Sequence, residues 1–303
     1  MRLFSVVCLA ALTTACRPTP TPTPPAPKAS TPARLHVTNK CEIDIWMQQQ
    51  NFPGPALIHL AKDASIDYQI PAEGLASTRF WPKLGCDKDG NNCKIGQSSP
   101  PCPSKGCSPP VDSKLEATWG CTLADKTKCA YTPQGIQMID TFWNASAVDG
   151  YTLPFTMNLK GGDGRSSCVP VDCAGLAKAE CPKDDNLSDK GKNPKYAHQN
   201  MNVVGAGGCF STCMKLDYPG FGGDGVQNPS GPVELMYCCP GAMAPACRKG
   251  PVVKTKYVET IHTACKNTTY AYAYDDGIGG RNCSGDTVIE MVVGPGCVEI
   301  AAK

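Results

Sequence analysis

The side chains with the most chemistry to offer in this chain are its thiols. Of 20 cysteines, Cys8 and Cys16 lie near the N-terminus and all others fall between Cys41 and Cys297. At that density thiols either hold metal ions or pair with one another. Zinc sites draw on closely spaced CxxC pairs with histidine nearby. No CxxC occurs here, and His36, His59, His198 and His262 are scattered. The pattern therefore reads as disulfides formed in an oxidising compartment, with no metal and no cofactor. Parity agrees: removing Cys8 with an export signal and Cys16 with a lipid leaves an even number that can all pair. Nucleophilic protease chemistry is not legible, because no serine, histidine and acid phrase resembles a nucleophile elbow.

The N-terminus supplies the route to that compartment. Arg2 precedes a short apolar run, Leu3–Ala11, and Thr13, Thr14 and Ala15 lead into Cys16. Residues 1–15 read as a signal peptide. Cys16 reads as the lipidated cysteine of a bacterial lipobox, although Thr13 stands where leucine or valine is usual; the other reading is ordinary cleavage. Residues 16–33 form a Thr/Pro-rich stalk (RPTPTPTPPAPKASTPA follows Cys16). Proline fixes φ and donates no backbone hydrogen bond, so such a segment is an extended spacer. No later apolar run reaches the roughly 20 residues that span a bilayer. The membrane is thus met only through an N-terminal lipid anchor, on an outer membrane or cell surface, with secretion as the alternative. The 29 basic and 27 acidic residues nearly balance, and no basic stripe suggests nucleic acid. A monomer is the default expectation.

Positioning any site falls to β-strands. Leu35 and Val37 alternate with polar neighbours, Ile43, Ile45 and Met47 continue the period, and Tyr151, Leu153, Phe155, Met157 and Leu159 give five apolar positions in phase. Thr287–Val293 repeats the pattern with Ile289, Met291 and Val293. Such alternation predicts strands with one buried face, an all-β sandwich. With 30 glycines and 28 prolines, turns are favoured over helices. Short helices are expected only at Ala174–Glu180 and Thr212–Leu216. Between Gly85 and Pro110 there are four cysteines and no apolar periodicity, a segment that disulfides must hold.

Four phrases go further. VTNKCEIDIW (Val37–Trp46), STRFWPKLGC (Ser77–Cys86), SAVDGYTLPF (Ser146–Phe155) and YAYAYDD (Tyr270–Asp276, followed by Cys283) occur in the order in which the thaumatin-like family carries similar phrases. The cysteines follow suit: Cys168 and Cys173 stand five apart, Cys181 eight later, Cys209 and Cys213 four apart, and Cys238 and Cys239 adjacent. The body from residue 34 to 303 thus resembles that family. The resemblance implies a flattened β-sandwich (34–84, 115–173 and 264–303), a small disulfide domain (85–114), a disulfide-rich loop domain (174–263), and a cleft between sandwich and loop domain. It implies the bridges Cys41–Cys297, Cys86–Cys93, Cys102–Cys107 and Cys239–Cys247. The extra pair, Cys121 and Cys129, lies in an insertion and can bridge itself. Connectivity among Cys168, Cys173, Cys181, Cys209, Cys213, Cys238, Cys265 and Cys283 stays open. Two departures, IGQSSPPCPSKGC and a Gly/Pro-rich insertion over Tyr218–Glu234, fall where they can reshape the cleft rim.

The resemblance also nominates a site. Many family members line the cleft with one arginine, one glutamate and three aspartates. Matched residue by residue, these fall on Arg79, Glu116, Asp149 and Asp275, with Asn144 in place of one aspartate. An acidic cleft short of one carboxylate is implied. Hydrolysis of β-1,3-glucan would use Glu116 as general acid, crowded by Asp149 and Asp275, and Asp149 as base or nucleophile; the two carboxyl groups would stand about 5–5.5 Å apart for retention or about 6.5–9.5 Å for inversion. Binding of a polysaccharide such as a cell-wall glucan without cleavage would use Arg79, Glu116, Asn144, Asp149 and Asp275 for hydroxyls and Trp143 as a stacking ring. Tyr151 and Phe155 share the phase of a buried strand and read as core. Arg79 can also serve as a plain ion-pair partner of Asp149 or Glu116. Binding is the first reading, endo-β-1,3-glucanase activity the second, and a surface-displayed interaction or defence protein without a carbohydrate ligand the third.

Overall fold

The structure, a computed structural model, describes residues 32–93, 95–96, 113–179, 181–182, 208–217, 234–239 and 244–297. The expected signal peptide, Cys16, almost all of the stalk, the Cys102–Cys107 bridge and most of the Tyr218–Glu234 insertion lie outside these residues.

Thirteen strands can be followed among the described residues: β1 (Ala33–Asn39), β2 (Ile45–Gln50), β3 (Leu57–Leu60), β4 (Ser65–Gln69), β5 (Leu75–Lys83), β6 (Lys114–Trp119), β7 (Thr141–Ser146), β8 (Gly150–Tyr151), β9 (Phe155–Lys160), β10 (Val171–Asp172), β11 (Cys209–Phe210), β12 (Arg281–Cys283) and β13 (Val288–Val293). They make a five-stranded sheet in the order β10-β9-β13-β1-β4, a six-stranded sheet in the order β12-β7-β6-β5-β2-β3, and the small pair β11-β8. The first strand lies parallel to the last, Leu35 opposite Ile289 and Asn39 opposite Val293, and the Cys41–Cys297 bridge closes that junction. All pairings in the six-stranded sheet are antiparallel.

The alternation read from sequence sorts the two faces. Leu35, Val37, Phe155, Met157, Ile289, Met291 and Val293 on one sheet and Ile45, Met47, Phe80, Leu115, Trp119, Trp143 and Ala145 on the other are buried in one shared core. Each large apolar side chain so buried contributes roughly 1.5–3 kcal/mol. Two details differ from the pattern. Ile43 is 43% exposed because the chain bends through residues 41–43 before β2 begins. The run from Tyr151 to Leu159 is two strands rather than one: β8 joins β11, whereas β9 joins β13, with Pro154, which has no N–H to donate, between them.

Helices are short: α1 (Thr212–Asp217), α2 (Glu234–Cys238), α3 (Ala244–Cys247), α4 (Lys256–Ala264) and α5 (Asp276–Gly279), with a single 3-10 turn at Ala174–Ala177 where a longer helix was expected. The two-turn α4 was not legible. Its β-branched Val258, Thr260, Ile261 and Thr263 are poor helix formers, yet Thr255 caps its first turn by accepting from the Val258 N–H, and Tyr257, Val258 and Ile261 are buried on one face.

Eight disulfides join described residues. Cys41–Cys297, Cys86–Cys93 and Cys239–Cys247 match the resemblance, and Cys121–Cys129 is bridged as the insertion allowed. The pairs left open are Cys168–Cys283, Cys173–Cys265, Cys181–Cys209 and Cys213–Cys238. Cross-links of this kind each contribute about 2–4 kcal/mol on the chain-entropy view and require an oxidising environment to form and persist. Among the described residues, no helix is long and apolar enough to cross a membrane.

Candidate functional site

The period of two that buries Leu115, Ala117 and Trp119 turns Lys114, Glu116 and Thr118 to the opposite face of β6. On β7 it likewise sends Trp143 and Ala145 inward and Phe142 and Asn144 outward. Register then assembles a row. Gln50 on β2 stands opposite Arg79 on β5, Arg79 opposite Glu116 on β6, and Glu116 opposite Asn144 on β7. With strands about 4.8 Å apart, these four side chains line up over roughly 14 Å. They line a depression of about 490 Å³ that also takes in Phe142, Tyr270 and Arg281, and a smaller hollow of about 270 Å³ continues from it toward Lys114 and Asp149.

Each carboxylate assigned to the site has its own partner. Glu116 Oε1 accepts from Arg79 Nε at 2.8 Å. Asp149, on the turn after β7, is held by Lys114, whose side chain is 3% exposed and which shares the outward face of β6 with Glu116. Asp275 Oδ2 lies 2.7 Å from His262 Nε2 and accepts the Ala271 N–H at 3.1 Å. Under the β12 end of the row, Arg281 donates to four backbone carbonyls, those of Val169, Thr268, Ile278 and Gly280, and burial pushes its guanidinium below the ordinary arginine range.

Three expectations are corrected. Asp275 does not open on the cleft: it is 5% exposed and turned toward α4. Trp143 is not a stacking platform, since its indole is 2% exposed and donates to Cys283 Sγ at 3.2 Å. Nor is the lining acidic. Among the described residues, the lining sets Arg79, Lys114 and Arg281 against two carboxylates, Glu116 and Asp149, and Asp275 is not one of those crowding Glu116. Tyr151 and Phe155 are core residues, 4% and 1% exposed.

Among the described residues, the rings offered to the cleft are Phe142, 51% exposed on β7, and Tyr270, with Tyr274 beside the smaller hollow. Backbone bonds from Tyr270 N to Ala145 O and from Ala147 N to Tyr270 O fasten Tyr270 beside β7. Its ring lies against Gly279, where a Cβ would stand 2.1 Å from Cδ2, and its hydroxyl donates to Asp276 Oδ1 at 2.6 Å. Burial and that neighbouring carboxylate push the phenol well above its ordinary range. At the β7 end of the row, Asn144 Oδ1 is buried with no hydrogen-bond partner among the described residues.

The model of the thaumatin family matches residues 39–294, most of the chain. The chain belongs to the thaumatin family. It is 28% identical over 276 residues to thaumatin-like protein 1 of Pyrus pyrifolia, covering 87% of this chain and 91% of that one. It is 28% identical over 268 residues to a glucan endo-1,3-beta-glucosidase of Prunus avium, covering 84% and 86%. A pathogenesis-related thaumatin-like protein 3.5 of Cryptomeria japonica is 26% identical over 258 residues, covering 82% and 84%.

Within this thaumatin-family chain, sequence reasoning missed Lys114, Gln50, Phe142 and Tyr270. Strand phase contained the signal for Lys114 and Phe142, which share the parity of Glu116 and Asn144 on their own strands, whereas Gln50 joins the row only through register with Arg79. Tyr270 belongs to the aromatic phrase but gave no sign of which of its tyrosines faces out. Among the described residues, no three His, Cys, Asp or Glu side chains gather as metal ligands would.

Proposed function

We propose that this thaumatin-family protein binds a neutral polysaccharide of the β-1,3-glucan type in its cleft and holds it without cleaving it. The observation that carries the reading is the Gln50–Arg79–Glu116–Asn144 row, set in a depression flanked by Phe142 and Tyr270. Such a row offers amide, guanidinium and carboxylate groups at regular spacing to sugar hydroxyls, and the two rings offer apolar faces to sugar C–H groups. A nearly neutral, ion-paired lining suits an uncharged polymer. The similarity to a protein named for glucan hydrolysis keeps cleavage as the second reading. It is the weaker one, because a glycosidase needs one carboxylic acid and one carboxylate flanking the bond, and Glu116 and Asp149 are each committed to a cation. Export through residues 1–15, lipidation of Cys16 and the stalk over 16–33 would display the cleft at an outer membrane or cell surface.

The test is a pull-down of residues 34–303 on insoluble β-1,3-glucan, scoring retention and released reducing sugar. Retention without release, weakened about tenfold by Glu116→Gln, supports binding. Sugar release that Glu116→Gln abolishes makes the protein a hydrolase. No retention and no release leaves surface display without a carbohydrate ligand as the better account.

A further inference from the structure

The outward face of the six-stranded sheet holds a second depression at its β2–β3 edge, away from the cleft. It encloses about 850 Å³, within the roughly 300–1,000 Å³ of ligand pockets. Its walls are Ile43, Asp44 and Trp46 at the start of β2, His59 and Lys62 at the end of β3, and the Gly85–Lys88 loop, which the Cys86–Cys93 bridge secures.

Trp46 is locked in place. His59 and Lys83 flank it across the strands, the His59 ring meets it edge-on at 5.0 Å, and Gly90, at φ +73°, lies where a Cβ would stand 2.8 Å from Cδ2 and Cε3. Asp44 is equally fixed: Oδ1 accepts the Lys62 N–H at 2.9 Å and Oδ2 meets His59 Nε2 at 3.2 Å. Both polar side chains remain about half exposed, 53% for Asp44 and 48% for His59, and both line the hollow. Ile43, an apolar side chain left 43% exposed where the strand pattern would bury it, lies on the rim. A fixed indole beside an oriented carboxylate and imidazole is a saccharide-binding combination: ring face for C–H groups, polar groups for hydroxyls.

Trp46, Gln48 and Gln50 share one face of β2, which places Trp46 about 13 Å from the end of the cleft row. The side chains between them, Gln48, Trp81 and Lys83, are buried, so the two depressions are separate. We infer that the Trp46–Asp44–His59 hollow is a second saccharide site, taking a neighbouring stretch of the polymer that occupies the cleft; the ligand class rests on the function proposed above. Two weak sites on one polymer gain by effective concentration, so losing either one costs retention on polymer far more than it costs binding of a short fragment.

The experiment follows backbone and indole N–H signals of residues 34–303 by NMR during titration with a β-1,3-linked glucose tetrasaccharide, alongside retention on insoluble β-1,3-glucan. Wild type, Glu116→Gln, Asp44→Ala and the milder His59→Gln are compared, each checked for an unchanged thermal midpoint. The inference expects the Trp46 indole signal to shift in wild type and in Glu116→Gln and to stay still in Asp44→Ala. It also expects Asp44→Ala and His59→Gln to lower apparent polymer affinity at least tenfold. Movement of cleft signals with none at Trp46, or full polymer retention by Asp44→Ala, overturns the second site and leaves the cleft reading standing. If neither set of signals moves, both fall.

Discussion

Replacing Asp149 by asparagine removes the one carboxylate that Lys114 touches among the described residues. The lysine side chain is 3% exposed and the aspartate 33%, so the substitution leaves a cation inside the protein that water reaches only from the aspartate side. Removing one partner of a fully buried pair costs about 3–5 kcal/mol. Access of water to Asp149 reduces this, and about 2–3 kcal/mol is expected. At roughly 2–4 °C per kcal/mol for a chain of this size, the thermal midpoint falls by about 5–10 °C. Lys114→Met removes the cation but keeps the aliphatic stem, and the carboxylate left behind can hydrate, so it costs only about 1 kcal/mol. The double variant Lys114→Met/Asp149→Asn should resemble Lys114→Met alone, giving a coupling of about 2–3 kcal/mol. The assay is guanidinium unfolding at pH 7 with all disulfides oxidised, accepted where the m-value is unchanged. An unchanged midpoint for Asp149→Asn, or single-variant losses that simply add in the double, would refute the claim that Lys114 neutralises this side of the cleft.

Gly279→Ala drives a methyl into the Tyr270 ring, so Tyr270 must leave its bond to Asp276. Glucan retention is expected to fall several-fold while far-UV dichroism is unchanged, and intact retention contradicts a role for Tyr270 in the wall. Neighbouring residues on β7 should behave oppositely. Trp143→Ala should cost about 3–5 kcal/mol in denaturant, whereas Phe142→Ala, half exposed, should stay within about 0.5 kcal/mol yet weaken glucan retention. On the acid side, Asp63, Asp87, Asp125 and Asp172 all sit below the ordinary value of 3.8, held chiefly by Lys40, the Asn91 N–H, the Thr127 hydroxyl and Lys266 respectively. The unfolded chain therefore takes up protons first as pH falls through about 4, and the stability these groups contribute, present above that pH, is lost below it. A thermal midpoint that holds steady from pH 4 to pH 2 would contradict this.

The sandwich was legible because its strands obey one rule, a buried face every second residue. That rule placed Leu35, Val37, Met157, Ile289, Met291 and Val293 correctly in the core. It was silent on what interrupts a strand, so Pro154, sending β8 and β9 to different sheets, went unread. It was silent on α4 too, where β-branched residues sit in a helix because Thr255 caps it and Tyr257, Val258 and Ile261 find a buried surface. Propensity is local and that surface is not. Disulfide connectivity divides the same way. Cys121 and Cys129, eight residues apart, suggested their own bridge, whereas Cys168–Cys283, 115 apart, depends on where the fold brings β12.

The site separates a second kind of information from the first. Asn144 and Trp143 are adjacent in sequence, and adjacent residues on a strand point to opposite sides of the sheet. Placing both in one cleft was therefore inconsistent with the very alternation used to find the strands, and applying the rule to TFWNAS would have exchanged Trp143 for Phe142. Partnership between strands is different. Arg79 was read as an ion-pair partner of Asp149 or Glu116, and register chooses Glu116; that Lys114 reaches Asp149 or that Asp275 turns to His262 was not readable, because each depends on register or on loop closure over 13 to 35 positions. Yet those partnerships decide the chemistry. Three acids matched by type to a family cleft suggest a protonated glutamate among carboxylates; with Asp275 turned to His262, and with Glu116 and Asp149 each given a basic partner, the floor is ion-paired instead, and on that pairing the proposal of binding without cleavage rests.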